Sequence, residues 1–578
     1  MKSEDKTSKW QWQDYTALVL AATCGCLLSI LPHLVWWPIV KEPVWIADVD
    51  QMQYLAFAAQ AYFDHPLYLT DPTLATGGHT LYAWVQLGPG LLLAKIFGMG
   101  PMAIALIWRV MAGIGGGLAW FCVLRFLIHR RWLALAASVF VMADVGWLVM
   151  RPIMRQWLLL PQIILGGGQA LFEHQPMLHG EWRIISPALV LPVLLFYVWM
   201  LARAVQSPTR RRLVVSGVTF GFLFWFYFYF WTGAALALIL TLAAKGNQRR
   251  AALHTGWIGA LIGAPAILLG LAETQNTSPD WLLRNDMFLH IPRLSEHAGF
   301  ITTLTLLIVA TIWIWTRRRD LIFLWSMAVA GFALIHHHLL TGLQLQNYHW
   351  AYFFSPVFIL LYIALIAAEI PQSWDARGSW GKRVIAGFVL IHLAAGIYLR
   401  VQEATRTYDS QLFTMQYMEY RDQRSLSGAH LGANRVVAGD HAFVYQAMVM
   451  DNLRPLDTPW PVVWSSSVSD DEFDQRISFN AVLLGRTRTE FEVIQRSQLE
   501  KSEFGQEKRS LEFRARRLAS RLAYFDRATI TFNETIDKFK IHYVALPSSQ
   551  NPPDYLTHGW KRIEAGPTWQ VWQRLSGG

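Results

Sequence analysis

Eleven apolar stretches, punctuated by pairs and triplets of arginine, leave this chain few folds other than a bundle of membrane helices. A crossing helix needs roughly 20 apolar residues. Candidates run at 15–37, 101–127, 132–150, 184–205, 213–229, 231–244, 252–271, 299–316, 321–339, 350–369 and 384–400. Only 16% of the 578 residues are charged and 53% are hydrophobic, against about 25% charged in an ordinary soluble domain. The net charge of +10 does not point to nucleic acid, because the arginines stand between apolar segments, as topology signals do. The first expected partner is therefore the lipid bilayer. Cys24, Cys26 and Cys122 all lie inside apolar runs and offer no disulfide framework. The N-terminal MKSEDKTSKWQWQ leads into the first apolar run without a small-residue cleavage site, so that run reads as a retained helix.

The segment Leu81–Gly98 is apolar too, but Gly88-Pro89-Gly90 interrupts it and Lys95 lies within it. Counted as a crossing, it would send Arg130-Arg131, Arg210-Arg211-Arg212, Arg249-Arg250 and Arg317-Arg318-Arg319 to the outside. Read as an interfacial helix, it returns all of them to the cytoplasm, as the positive-inside rule prefers. Eleven crossings follow, with the N-terminus cytoplasmic and the C-terminus external. Gly113 and Gly117 form a small-xxx-small pair that packs helices. The run Tyr227-Phe228-Tyr229-Phe230-Trp231 reads as an aromatic belt at the interface.

From about residue 400 the composition turns polar. Helical segments such as SDDEFDQRISFNAVLLG alternate with strand-like runs at 435–439, 540–548 and 568–575. The expected fold is an α-helical polytopic membrane protein over 1–400 with a C-terminal external α/β domain over 401–578. That domain shows no Gly-rich phosphate loop, metal spacing or nucleophile elbow, which assigns the chemistry to the membrane half.

On this topology the polar residues collect on the external side, the mark of an external active site. The first loop holds Asp48, Asp50 and His79, with Tyr54 following in an amphipathic stretch. Carboxylates at a bilayer edge are costly unless they serve something. Asp50 and Gln53 fit a capping box for the helix they open, whereas Asp48 has no such local explanation. Arg151, Glu181 and Arg183 belong to the second external loop, Arg284 and Arg293 to the third. Their guanidinium forks suit a lipid phosphate, and snorkelling at the interface is the alternative. Gln346, Asn347 and His349 sit where a short turn would suffice and suit sugar hydroxyls or a phosphate. His336-His337-His338 resembles a metal tract, but consecutive helix positions diverge by about 100° and do not face one ion.

An acidic motif in the first external loop, an interfacial helix after it, about eleven crossings and a C-terminal external domain together resemble the GT-C superfamily of integral membrane glycosyltransferases. Asp50-Gln51-Met52-Gln53-Tyr54 matches the Asp and Tyr spacing of that family's first-loop motif, and Asp48-Val49-Asp50 supplies a carboxylate pair, so two alignments compete for the catalytic Asp. KIHYVALPS resembles a strand near the end of many bacterial members' external domains. The resemblance implies a bacterial inner-membrane enzyme, a hexosyl- or pentosyltransferase that inverts the sugar it moves. The donor would be a polyprenyl-phosphate sugar and the acceptor a hydroxyl on a cell-envelope glycan, lipid or protein. It implies Asp50 or Asp48 as base, Arg183, Arg284, Arg293 and Arg151 on the phosphate, and Glu181, His349, Gln346, Asn347, Tyr54 and His79 on sugar or acceptor. Metal dependence varies in the superfamily, which leaves a Mg or Mn ion open. DTPWPVVW at 457–464 does not match WWDYG, a departure that disfavours protein N-glycosylation. A lipid-linked glycan flippase, a polysaccharide polymerase and a non-catalytic membrane subunit are the competing readings. A transporter, though, places polar groups in broken helices at mid-membrane, not along one rim.

Overall fold

The protein is described by a computed structural model over residues 10–71, 84–143, 188–275, 277–284, 287–289, 300–406, 408–427, 431–457, 467–501 and 511–575. The membrane half comprises α1 (Trp12–Val40), α2 (Val49–Phe63), α3 (Trp84–Ile96), α4 (Ala103–Ile128), α5 (Arg131–Ala143), α6 (Leu191–Gln206), α7 (Arg210–Phe226), α8 (Phe228–Thr241) and α9 (Asn247–Thr274). It continues through α10 (Pro279–Arg284), β1 (Met287–Leu289), α11 (Phe300–Arg317), α12 (Ile322–Ile335), α13 (His338–Thr341), β2 (Leu343–Leu345), α14 (Ala351–Glu369) and α15 (Trp380–Arg406). Each of the eleven expected segments overlaps a helix. Among the described residues six are long and apolar enough to cross a membrane: α1, α4, α9, α11, α14 and the Trp380–Gln402 part of α15. α5, α6 and α8 are shorter apolar helices. α3 has 13 described residues, about 20 Å at 1.5 Å per residue, with Pro89 inside it.

The small-residue pair packs helices as expected. A Cβ on Gly113 would lie 2.5 Å from the Gly25 carbonyl oxygen, and one on Gly117 would lie 2.3 Å from that of Ala21. α1 and α4 therefore meet backbone to backbone, gaining close van der Waals contact where lipid offers no hydrophobic drive.

The arginine-bearing turns gather at one end of the bundle. Asp14, its side chain fully buried, pairs with Arg125 at 2.8 Å and Arg131 at 3.0 Å. Arg130 donates to the Ile370 carbonyl and faces Asp375, which also accepts from Trp132 Nε1. Gln248 donates to the Arg319 carbonyl, and Arg317 pairs with Glu369. His129, in the same layer, is held below its ordinary pKa by burial and by Arg125 and Arg318. The opposite rim carries the ends of α1 and α12 and the start of α14.

The C-terminal unit follows α16 (Tyr408–Ser427). It is built from β3 (Val436–Gly439), α17 (His441–Met450), β4 (Arg454–Pro455), α18 (Asp470–Leu483), α19 (Arg488–Glu500), α20 (Leu511–Ile530), α21 (Phe532–Phe539), β5 (Ile541–Pro547), β6 (Trp560–Ala565) and β7 (Trp569–Arg574). The three expected strand-like runs are β3, β5 and β7. The sheet order is β4-β3-β5-β7-β6, with β4, β3 and β5 parallel and β7 antiparallel to β5 and β6. Strand alternation splits its two faces. Val436, Ala438, Val544 and Leu546 pack with Phe479, Leu483, Ile536 and Phe539 of α18 and α21. Val437, Tyr543, Ala545 and Val571 face α17 and join the same apolar core as the membrane helices. Beneath α18 and α20, buried Asp474 accepts from Arg517 and Arg521 at 2.9 and 2.8 Å.

Candidate active site

Two polar clusters lie at the rim opposite the arginines. The first is built by the chain between α1 and α2. α1 ends at Lys41, whose left-handed backbone (φ 65°) turns the chain. Residues 44–47 then run buried, held by Ile46 N–H donating to Thr414 Oγ1 of α16 at 3.1 Å. Asp48 is the N-cap of α2, its Oδ1 accepting from Gln51 N–H at 2.9 Å. This corrects the sequence expectation, in which Asp50 and Gln53 made the cap. The helix begins two residues earlier, because the extended chain brings Asp48 within reach of Gln51. Asp50 instead sits in the first turn, half-buried.

Gln51 is the hub of this turn. Its Oε1 accepts from Ala47 N–H at 3.1 Å and from Arg109 Nη2 at 3.2 Å, and its Nε2 donates to the Trp45 carbonyl at 2.9 Å. The Arg109 guanidinium of α4 lies 4.7 Å from the Trp45 ring centroid, a cation–π contact in a dry setting. His33 of α1 completes the group, its ring 5.8 Å from Trp45 and its Nδ1 2.8 Å from the Pro43 carbonyl. The aspartate pair thus stands on a floor of buried, bonded side chains, the arrangement that holds a reactive group in one geometry. Tyr54, one turn further, is buried in the same helix.

The second cluster joins the α7–α8 break to the segment after β2. Tyr227, extended between the two helices, shares a hydrogen bond with His349 Nδ1. Tyr229 stacks on the His349 ring at 4.8 Å and donates to Gln346 Oε1 at 3.2 Å. Trp350 Nε1 donates to Thr232 Oγ1 at 3.0 Å. β1 and β2 pair antiparallel, Met287 opposite Leu345, tying the 287–289 segment to the turn with Gln346. The aromatic run at 227–231 therefore does more than line an interface: Tyr227 and Tyr229 fix His349 and Gln346.

Asp48, Asp50 and Tyr54 fall together, as do Gln346 and His349. Asn347 belongs to the same turn as His349 and Arg284 closes α10, but their side chains lie outside the described residues. Arg151, Glu181, Arg183, His79 and Arg293 lie wholly outside them. Among the described residues no three His, Cys, Asp or Glu side chains are grouped to hold a metal ion. Sequence reasoning missed Arg109, His33 and Gln51. Arg109 did leave a signal, since a charge within an apolar run marks a functional or organising position.

A third contact region docks the C-terminal unit onto α2. Asp64, the C-cap of α2, accepts from Asn434 Nδ2 at 2.9 Å and from Asn452 Nδ2 at 3.1 Å. Arg454 lies beside it, its pKa lowered by burial and partly restored by Asp64 and Asp71. Tyr417 donates to Glu42, and Arg421 to the Val40 carbonyl, at the other end of the loop.

No family model and no curated protein matches the sequence. Among solved structures, the chain is similar to the crystal structure of ArnT from Cupriavidus metallidurans bound to undecaprenyl phosphate, at 13% identity and a TM-score of 0.40, over 97% of this chain and 98% of that one. It is also similar to the cryo-EM structure of the arabinofuranosyltransferase AftD from Mycobacteria, at 15% identity and a TM-score of 0.45, over 97% of this chain but 41% of that one. The chain thus spans about two fifths of the AftD chain.

Proposed function

We propose that this chain is a GT-C-type membrane glycosyltransferase that moves a sugar from a polyprenyl-phosphate donor to an acceptor hydroxyl at the external face. The observation that carries the reading is the Asp48–Asp50 pair at the head of α2, held by Gln51 and Arg109 at the rim opposite the arginine turns. We assign Asp50 as the base and Asp48 as the cap that positions it, the Asp48 Oδ1 accepting from the Gln51 N–H. Asp50 takes the acceptor's proton as its oxygen attacks the anomeric carbon; the bond to phosphate breaks and the lipid phosphate leaves. Cations then stabilise that phosphate, a role we assign to Arg183, Arg284, Arg293 and Arg151. Glu181, His349, Gln346, Asn347, Tyr54 and His79 would orient sugar or acceptor, residues 401–578 forming the external domain.

The test is transfer by the purified chain in lipid nanodiscs supplied with a radiolabelled polyprenyl-phosphate sugar. Free lipid phosphate and a labelled acceptor are expected; intact donor after long incubation with a range of sugars and acceptors would refute the proposal. A topology reporter at Ser379 should read cytoplasmic and one at Ser427 external, and the reverse would overturn the orientation.

A further inference from the structure

The carboxyl edge of the C-terminal sheet gathers three polar side chains, His441, Asp457 and Asn480. After β3 the chain leaves toward β4, and after β5 it leaves toward β6 and β7 on the other side. The crevice between the carboxyl ends of β3 and β5 is thus a topological switch point, where open α/β sheets bind ligands. His441 opens α17 beside this crevice. Its Nε2 lies 3.1 Å from Asp457 Oδ2 and 3.3 Å from Asn480 Nδ2. Asn480 is itself fixed, accepting from Gly439 N–H at 2.7 Å and donating to the Gly439 carbonyl at 3.1 Å. Asp440 is spent on Phe443 N–H and Trp569 Nε1.

Asp457 and His441 are not spent. The Asp457 side chain is 3% exposed, and its Oδ1 has no hydrogen-bond partner among the described residues. With the Nε2 proton directed to the buried carboxylate, Nδ1 is left as an acceptor, and the Asn480 amide beside Nε2 donates to the Gly439 carbonyl instead. The His441 side chain is 33% exposed, and among the described residues its hydrogen-bond contacts are made through Nε2. Nδ1 is a lone pair presented at the crevice mouth, suited to a hydroxyl.

The crevice and the aspartate pair lie toward the same side of the molecule. Asn452, just past α17, bonds Asp64 at the end of α2. Tyr445, in the first half of α17, packs against Phe413 with ring centroids 5.9 Å apart, and the neighbouring Thr414 bonds Ile46, two residues before Asp48. With both ends tied, α17 and α2 run in the same sense. Their amino ends, with His441 and with Asp48 and Asp50, lie toward the same side.

We infer that the His441–Asp457–Asn480 cluster is an acceptor subsite that receives a sugar hydroxyl on His441 Nδ1. The inference rests on the transferase reading and adds where the acceptor is held. It is tested on the full chain in nanodiscs with a polyprenyl-phosphate sugar donor and methyl glycosides as acceptors, measuring transfer and donor hydrolysis together. His441→Gln and Asp457→Asn are each expected to lower the ratio of transfer to hydrolysis about tenfold, mainly by raising the acceptor KM. An unchanged ratio, or an equal loss of both, overturns the subsite. If wild-type protein neither transfers nor hydrolyses, the transferase reading fails. The subsite is then judged by histidine-15N NMR. A His441 Nδ1 signal that moves on adding methyl glycosides and is missing in His441→Gln upholds it; an unmoved signal removes it.

Discussion

Replacing Gln51 with Ala strikes the support of the aspartate pair without touching either carboxylate. The side chain is buried and makes three hydrogen bonds, to Ala47 N–H, the Trp45 carbonyl and Arg109 Nη2. Stranding a buried partner costs about 1–3 kcal/mol. Three such losses at the low end give about 3 kcal/mol, the low end being apt because Arg109 keeps its contact with Trp45. Gln51→Glu retains the accepting oxygen and gains charge on Arg109, but loses the donor to Trp45, so its cost should be about 1 kcal/mol. Both are read by denaturant unfolding in detergent micelles, followed by tryptophan fluorescence. Activity should fall more steeply than stability, since a 1 Å drift of a catalytic group costs about 10²-fold. The reasoning is refuted if Gln51→Ala unfolds within about 0.5 kcal/mol of wild type, a change typical of a neutral surface site, and turns over at the wild-type rate.

Gly113→Val should break α1–α4 packing by more than the about 1–3 kcal/mol of ordinary overpacking, because the obstacle is the Gly25 backbone, whereas Gly116→Ala, with nothing within 4 Å, should be tolerated; folded yield on size-exclusion chromatography separates them. Asp64→Ala strands two asparagine amides and should loosen the C-terminal unit from α2 by about 1–3 kcal/mol, seen as faster hydrogen exchange across residues 431–457; unchanged exchange would show that the latch holds nothing. Glu490 closes the capping box of α19, and its pKa is lowered by the Thr487 N–H and hydroxyl. A depressed carboxylate contributes stability above its ordinary pKa that is lost as pH falls through the folded value. The first turn of α19 should therefore be protected from exchange at pH 6 and fray below about pH 4; equal protection at both would contradict the assignment.

The bundle was legible in the sequence because burial in lipid demands long apolar runs, and the turns at one rim were legible because arginine resists crossing. Gly113 and Gly117 could be read since nothing but close helix approach explains that spacing in an apolar run. The cap of α2 could not. Asp48 and Asp50 are equally good caps locally, and the choice is made by Thr414, which pins Ile46 from 368 residues away. β4 and β6 escaped notice because one has two residues and the other, with Lys561, Arg562 and Glu564, carries charge at the sheet edge. The C-terminal unit carries no known motif in its sequence, and His441, Asp457 and Asn480 meet only after β3, β4 and α18 have been assembled around one edge.

In the proposed mechanism Asp50 accepts the proton while Asp48 shapes the helix that carries it. The most direct test of this division is the rate of sugar transfer from a radiolabelled polyprenyl-phosphate donor by Asp50→Asn and Asp48→Asn, with melting measured alongside. A general base contributes about 10²–10⁴-fold, so Asp50→Asn should lose that much turnover at unchanged stability. Asp48→Asn, since asparagine also caps well, should stay within about tenfold of wild type. Full turnover in Asp50→Asn, with Asp48→Asn inactive, would contradict the account.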